Sequence, residues 1–225
     1  MSDIKISIII PTYNRADILR KSLACYEKQT LPVRDFEILL IDDGSSDHTY
    51  QVVEEIKKNY PIALQFLKQN HKGANAARNL GINNSKGKLL LFTGDDILPL
   101  PNFLEEHWNR HLKSRMDERV AVLGLTEWSP EIKVTPLMKY LEVCDYLPQF
   151  EYNRIDNPES LAHEFFYTSN ITVHREFLLK YGIFDEEMNK PFADDGELAY
   201  RLKKHDLRIV YHPQAKAWHW HEIQV

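Results

Sequence analysis

The stretch from Thr168 to Leu202 holds the residues best suited to acid–base work: Thr168-Ser169-Asn170 leading a strand, the turn GIFDEE, then Asp194-Asp195 opening the helical run DDGELAYRL. A hydroxyl group is a poor nucleophile, so a transfer reaction onto it needs a carboxylate within hydrogen-bond reach to take its proton as it attacks. Asp195 is the candidate base. Asp194 is its neighbour, positioning it or binding an acceptor, and Ser169 and Asn170 are assigned to the acceptor side. The plainer reading of the pair is a helix cap with an acidic first turn, which the helix dipole also favours.

Two earlier acidic clusters point to metal-dependent transfer from a phosphorylated donor. In FTGDDILPLP, Asp95 and Asp96 follow an apolar run. There one carboxylate can hold a hard divalent ion, and the ion can hold diphosphate oxygens. In IDDGSSD, Asp42 and Asp43 also end an apolar run. Adjacent acids repel unless a ligand or cation uses one of them, and a carboxylate at this place can accept the imide N–H of a uracil or thymine ring. The alternative is a turn in which Asp or Ser caps the next helix. His219 and His221 alternate in AWHWHE and share one face of a strand, with Trp218 and Trp220 on the other. Alone they are no metal site; beside a diphosphate-bound ion, one of them can complete its coordination. Arg78, in the small-residue helix GANAARNLG, reads either as a surface charge or as a clamp on phosphate or nucleobase, with Ala74, Ala76 and Ala77 letting the helix approach a sheet.

These groups need a frame. The first hundred residues alternate short apolar runs with helical patterns, the form of βαβ units around a mainly parallel sheet. Strands are expected at Lys5–Ile10, Glu37–Ile41, Ala63–Leu67 and Lys88–Phe92, with covering helices through Ile18–Tyr26 and Val52–Ile56. Ligands of such sheets bind beyond the carboxyl ends of the strands, where Pro11-Thr12-Tyr13-Asn14, Asp42-Asp43 and Asp95-Asp96 converge. Further on, a helix is expected with Pro101 in its first turn and Phe103, Leu104, His107, Trp108, His111 and Leu112 on one side. Strands follow at Val120–Leu125, Ile171–Val173, Leu207–Tyr211 and Lys216–Trp220, with helices at Arg175–Tyr181 and Asp194–Lys204. The apolar stretch Thr135–Phe150 reads as core helix, acceptor wall or membrane-touching face.

At 225 residues the chain is long enough for one catalytic domain. About 1–100 is expected to form a nucleotide-binding half and about 101–225 an acceptor-binding and catalytic half. With 28 basic and 33 acidic residues the charge is −5, without basic runs, so no nucleic-acid partner is expected. Cys25 and Cys144 read as buried thiols in a reducing, cytoplasmic setting, and no segment approaches a membrane span.

With these residues in view the chain resembles family 2 glycosyltransferases of the GT-A fold. The likeness runs from SIIIPTYNR and EILLIDDGSSDHT through GANAARNLGINNSKGKLLLF and GDDILP to SNITVHREFLLKYGIFDE and DDGELAYRL. It implies an α/β three-layer sandwich with a central, mainly parallel mixed sheet, a nucleoside-diphosphate sugar donor, a Mn2+ or Mg2+ ion and inversion at the anomeric carbon. Donor contacts fall at Pro11, Thr12, Tyr13, Asn14, Asp42, Asp43 and Arg78, metal and diphosphate contacts at Asp95 and Asp96, and the base at Asp195. A UDP-sugar is the favoured donor; a saccharide, glycolipid or protein is the acceptor, with Tyr140, Tyr146, Phe165, Phe166 and Tyr167 as stacking faces. Peripheral association with the inner face of a membrane is compatible with this reading. Two departures stand out. The usual Asp-x-Asp is Thr93-Gly94-Asp95-Asp96, which leaves Asp95 and Asp96 both as candidate ligands and motivates the rival reading of an inactive nucleotide-sugar-binding subunit. The usual Glu-Asp is Asp194-Asp195. The histidine after the last strand has two claimants, with His219 favoured on spacing.

Overall fold

The computed structural model describes residues 4–141, 151–188 and 194–221. Four parallel strands come first: β1 (Ile6–Thr12), β2 (Phe36–Asp42), β3 (Ala63–Lys68) and β4 (Leu89–Thr93). They are followed by β5 (Ile97–Pro99), β6 (Val120–Trp128), β7 (Asn170–His174) and β8 (Arg208–His219), giving one sheet in the order β3-β2-β1-β4-β7-β6-β8-β5. Strand β7 is antiparallel to both neighbours, β6 and β8 are parallel, and β5 runs against β8. The expected GT-A arrangement, a mixed and mainly parallel sheet between helical layers, is the arrangement found.

The central strands read as unbroken apolar runs because both their faces are covered. In β1, Ile6, Ile8 and Ile10 pack toward α1 (Ala16–Tyr26), α2 (Thr49–Lys57) and α4 (Phe103–Lys113), meeting Leu19, Leu23, Val53, Phe103 and Leu104. Ile9, with Leu39, Ile41 and Phe92, faces the other way, toward α3 (Ala74–Asn84), α6 (Arg175–Tyr181) and α7 (Asp194–Lys203). Each fully buried isoleucine contributes roughly 2 kcal/mol. Helix α3 does lie close to the sheet, but through Ala76, Ala77 and Gly81 rather than Ala74, which is exposed; a Cβ on Gly81 would stand 2.8 Å from the Ile9 side chain.

Several expectations change. Pro101 lies in the turn ahead of α4, whose cap position is Asn102, and the buried face of α4 includes Arg110 while Leu112 is 48% exposed. The two strands expected at Leu207–Tyr211 and Lys216–Trp220 are one strand, β8, running through Pro213. Proline is tolerated there because β5 pairs only with Ala217–His219, leaving the outer side of β8 at Pro213 without a strand whose ladder it would break. The register between β6 and β8 shifts around Gly124, where a Cβ would stand 2.2 Å from the Ala215 carbonyl oxygen. Cys25 is half-buried rather than buried. Cys144, Tyr146 and most of the Thr135–Phe150 stretch lie outside the described residues; of that stretch, α5 (Pro136–Leu141) buries Met138 against Trp128 and Ile132 and exposes Tyr140. Among the described residues no helix is long and apolar enough to cross a membrane.

Candidate active site

At the carboxyl ends of β1 and β2, Thr12 lies opposite Asp42 in register, and the Asp43 N–H donates to the Thr12 carbonyl at 2.9 Å. Pro11 is the half-buried residue before them on β1. The chain then turns through Asn14, whose φ of 53° is left-handed, a conformation asparagine tolerates. Its side-chain oxygen accepts N–H bonds from Ser46 (2.8 Å) and Asp47 (3.3 Å), tying the two strand-end loops together. Asp42 accepts the Ser45 N–H at 2.9 Å through one carboxylate oxygen. Asp43 is consumed by the fold: its carboxylate takes the N–H groups of Lys72 (2.8 Å) and Gly73 (2.9 Å) and the Gln69 amide (2.7 Å), and the His71 ring stands 2.9 Å from it while bonding the Asp43 carbonyl at 3.1 Å. The repulsion between adjacent acids, offered above as a reason to expect a ligand, is thus relieved by the 69–73 loop. Tyr13, 44% exposed, stacks on His71 with ring centroids 4.3 Å apart.

The second group forms where β5 meets β8. Ile97 pairs with His219, and Trp220 N–H donates to the Asp96 carbonyl at 2.8 Å, so this three-residue strand, unread in the sequence, carries the histidines to the acidic pair. His219 Nε2 and His221 Nδ1 lie 3.5 and 3.3 Å from the same Asp96 oxygen. One ligand atom from each of Asp96, His219 and His221 falls within 4.8 Å of the others. A carboxylate oxygen with two imidazole nitrogens suits Mn2+ better than the all-oxygen shell Mg2+ prefers, so the residues present fit a divalent ion. Asp95 turns elsewhere, accepting the Thr12 hydroxyl at 2.6 Å.

Arg15, given no role in the sequence reading, reaches both acids. Its guanidinium bonds Asp96 Oδ2, and its Nε lies 3.5 Å from Asp95 Oδ1. The charges separate the pair. Burial, then the adjacent Asp96 charge, push Asp95 up to about 6. Burial acts on Asp96 too, but the His219 and His221 rings and the Arg15 charge outweigh it and hold Asp96 well below the ordinary carboxylate range.

The third group sits at the start of α7. Asp195 accepts the Thr168 N–H at 2.9 Å and the Thr168 hydroxyl at 2.8 Å, while Arg78 donates to Asp194 (3.0 Å), to Asn75 (3.0 Å) and to the same Thr168 hydroxyl (2.8 Å). Burial raises the Asp195 carboxyl above its usual range, the Arg78 charge opposes this and Asp194 adds to it. Its side chain is still 28% exposed. Arg78, expected as a clamp on the donor, is here engaged with carboxylates. Thr168, named in the sequence without a role, is the hinge of the group.

On the acceptor side Asn170 is fully buried: its amide donates to the Leu125 (3.1 Å) and Ala215 (3.0 Å) carbonyls and its oxygen accepts from His107 (2.8 Å). With both amide hydrogens engaged and the side chain fully enclosed in the sheet, it is not placed to contact an acceptor. The Ser169 hydroxyl is buried without a hydrogen-bond partner among the described residues. Phe166 is likewise core, whereas Phe165 and Tyr167 are half-buried.

Among solved structures the fold recurs in Staphylococcus aureus TarS 1–349 in complex with UDP-GlcNAc (TM-score 0.74, 18% identity, 99% of this chain and 60% of that one). It recurs also in a mannosyltransferase of Pyrobaculum calidifontis in complex with GDP-Man and Mn2+ (TM-score 0.70, 20% identity, 96% and 56%). The molecule is therefore an α/β protein of the GT-A class. The sequence profile of glycosyl transferase family 2 matches residues 7–186, and the chain belongs to that family. Chondroitin synthase of Escherichia coli is 27% identical over 241 aligned positions, covering 95% of this chain and 34% of the relative, so the chain spans about a third of that protein's length.

Proposed function

We propose that the chain is a metal-dependent, inverting glycosyltransferase that moves a sugar from a nucleoside diphosphate to a hydroxyl of a saccharide, lipid-linked or protein acceptor. The observation that carries this reading is Asp195: a carboxylate of raised proton affinity at the start of α7, hydrogen-bonded by Thr168 and 28% exposed. A base of raised pKa gains driving force for proton removal. Attack from the side opposite the leaving diphosphate inverts the anomeric carbon.

The nucleotide half, about 1–100, offers the exposed Tyr13 ring as a stacking face, and Asp42 at the end of β2 as the acid assigned to a uracil imide; these support a UDP-sugar, as does the UDP-GlcNAc of the TarS structure. Asp96, His219 and His221 would hold Mn2+ or Mg2+, whose charge stabilises a departing diphosphate. The free thiol of Cys25 fits a cytoplasmic setting.

Asp195→Asn tests the assignment. The amide keeps the shape and loses the basicity, so transfer from the UDP-sugar falls about a thousandfold while the dissociation constant for UDP stays within about twofold of wild type. Wild-type turnover in this variant would remove Asp195 from the chemistry.

A further inference from the structure

We infer that Arg15 is the resident counter-cation of the Asp95–Asp96 site, displaced when a divalent ion is taken up and then used to bind the diphosphate. This rests on the proposed function and adds a part to it. The guanidinium bonds the same Asp96 oxygen that faces His219 and His221, lies 3.5 Å from His221 Nδ1, and keeps its Nε 3.5 Å from Asp95. A guanidinium and a divalent ion cannot share that oxygen without strong like-charge repulsion, so the two compete for one carboxylate.

The local structure allows the exchange. The backbone of Arg15 is fixed, because its carbonyl accepts the Leu19 N–H at 3.1 Å in the first turn of α1, while its side chain is 35% exposed. A planar fork of N–H donors released beside a bound ion is suited to the phosphate oxygens that the ion leaves uncovered. Arg15 thereby balances two buried acids before the ion arrives and diphosphate charge after it arrives. Arg78 is tied to Asp194 and Thr168, so Arg15 is the arginine that stands at the acidic pair.

The test is calorimetry on wild type, Arg15→Gln and Arg15→Lys, each checked for folding by circular dichroism, titrated with Mn2+ alone and then with UDP and GDP in saturating Mn2+. Arg15→Gln is expected to bind Mn2+ alone at least tenfold more tightly than wild type and the preferred diphosphate at least tenfold more weakly, with Arg15→Lys recovering most of the diphosphate affinity. A merely structural role would weaken both arms together, and that result overturns the inference. Equal Mn2+ affinity in wild type and Arg15→Gln overturns it as well. If wild type binds Mn2+ and diphosphate and Arg15→Gln matches it, only the role of Arg15 falls. If neither protein binds a diphosphate with metal, the glycosyltransferase reading falls with it.

Discussion

Asp195 stands between opposed influences: burial and Asp194 raise its proton affinity, while Arg78 and two hydrogen bonds from Thr168 lower it. The Thr168 hydroxyl does double service, donating to Asp195 and accepting from Arg78. Thr168→Val keeps the backbone N–H and removes the hydroxyl, so the ionised base loses one of its stabilising bonds. Its pKa rises further, and the acidic limb of the kcat/KM profile moves to higher pH, by about half to one unit for a bond worth roughly 1 kcal/mol. A profile unmoved by the substitution would show that the hydroxyl does not set the base. The acidic pair was visible in the sequence at the start of α7, but a cap that suits the helix dipole reads the same way there, so the pattern alone did not single out Asp195 as a base. The employment of Asp43 and Arg78 was not visible, since the partners of Asp43 lie 26 to 30 positions away and those of Arg78 include Thr168 and Asp194, 90 and 116 positions away, which no local pattern brings together.

At the scale of elements, the short strand β5 and the bulge at Gly124 position the site. Pairing of Ile97 with His219 delivers the histidines to Asp96, and the bulge lets Asn170 reach the carbonyls of Leu125 and Ala215 together. A Cβ at residue 124 would meet the Ala215 oxygen at 2.2 Å and the Asn170 amide at 2.5 Å, so both strands must part to admit it. Gly124→Ala should cost about 3 kcal/mol by overpacking and loss of the buried bonds; urea unfolding measures it, and a loss under about 0.5 kcal/mol would mean that the bulge is not needed. Strands β1 to β4 and their helices were legible because doubly covered strands give continuous apolar runs. Strand β5 was hidden because Ile97-Leu98-Pro99 is too short to show a period, and β8 was split because Pro213 mimics a break.

The whole molecule couples its stability to pH through the layer between α4 and the sheet. His107, His111 and His174 are all buried, and His107 and His111 bond Thr172. Burial lowers His107 to about 3 and His174 to about 4, and His111 falls in the same direction. These folded-state values lie below the unfolded value of 6.5, so the unfolded chain takes up protons first on acidification. Their contribution is complete above that value and is lost as pH falls from about 6.5 toward 4, at about 1.4 kcal/mol per pH unit for each histidine. Asp95, raised to about 6, acts oppositely, its contribution being present at low pH and lost as pH rises through about 6. Removing it in Asp95→Asn should therefore steepen the acid loss of urea-derived stability between pH 4 and 6, and an unchanged slope would contradict the assignment. Donor binding at the carboxyl ends of the strands is measured by calorimetric titration with UDP, GDP, dTDP and CDP, each with and without Mn2+. One diphosphate, UDP foremost, is expected to bind only with the metal, and Asp96→Ala is expected to abolish that binding; binding of none, or equal binding without metal, would contradict this.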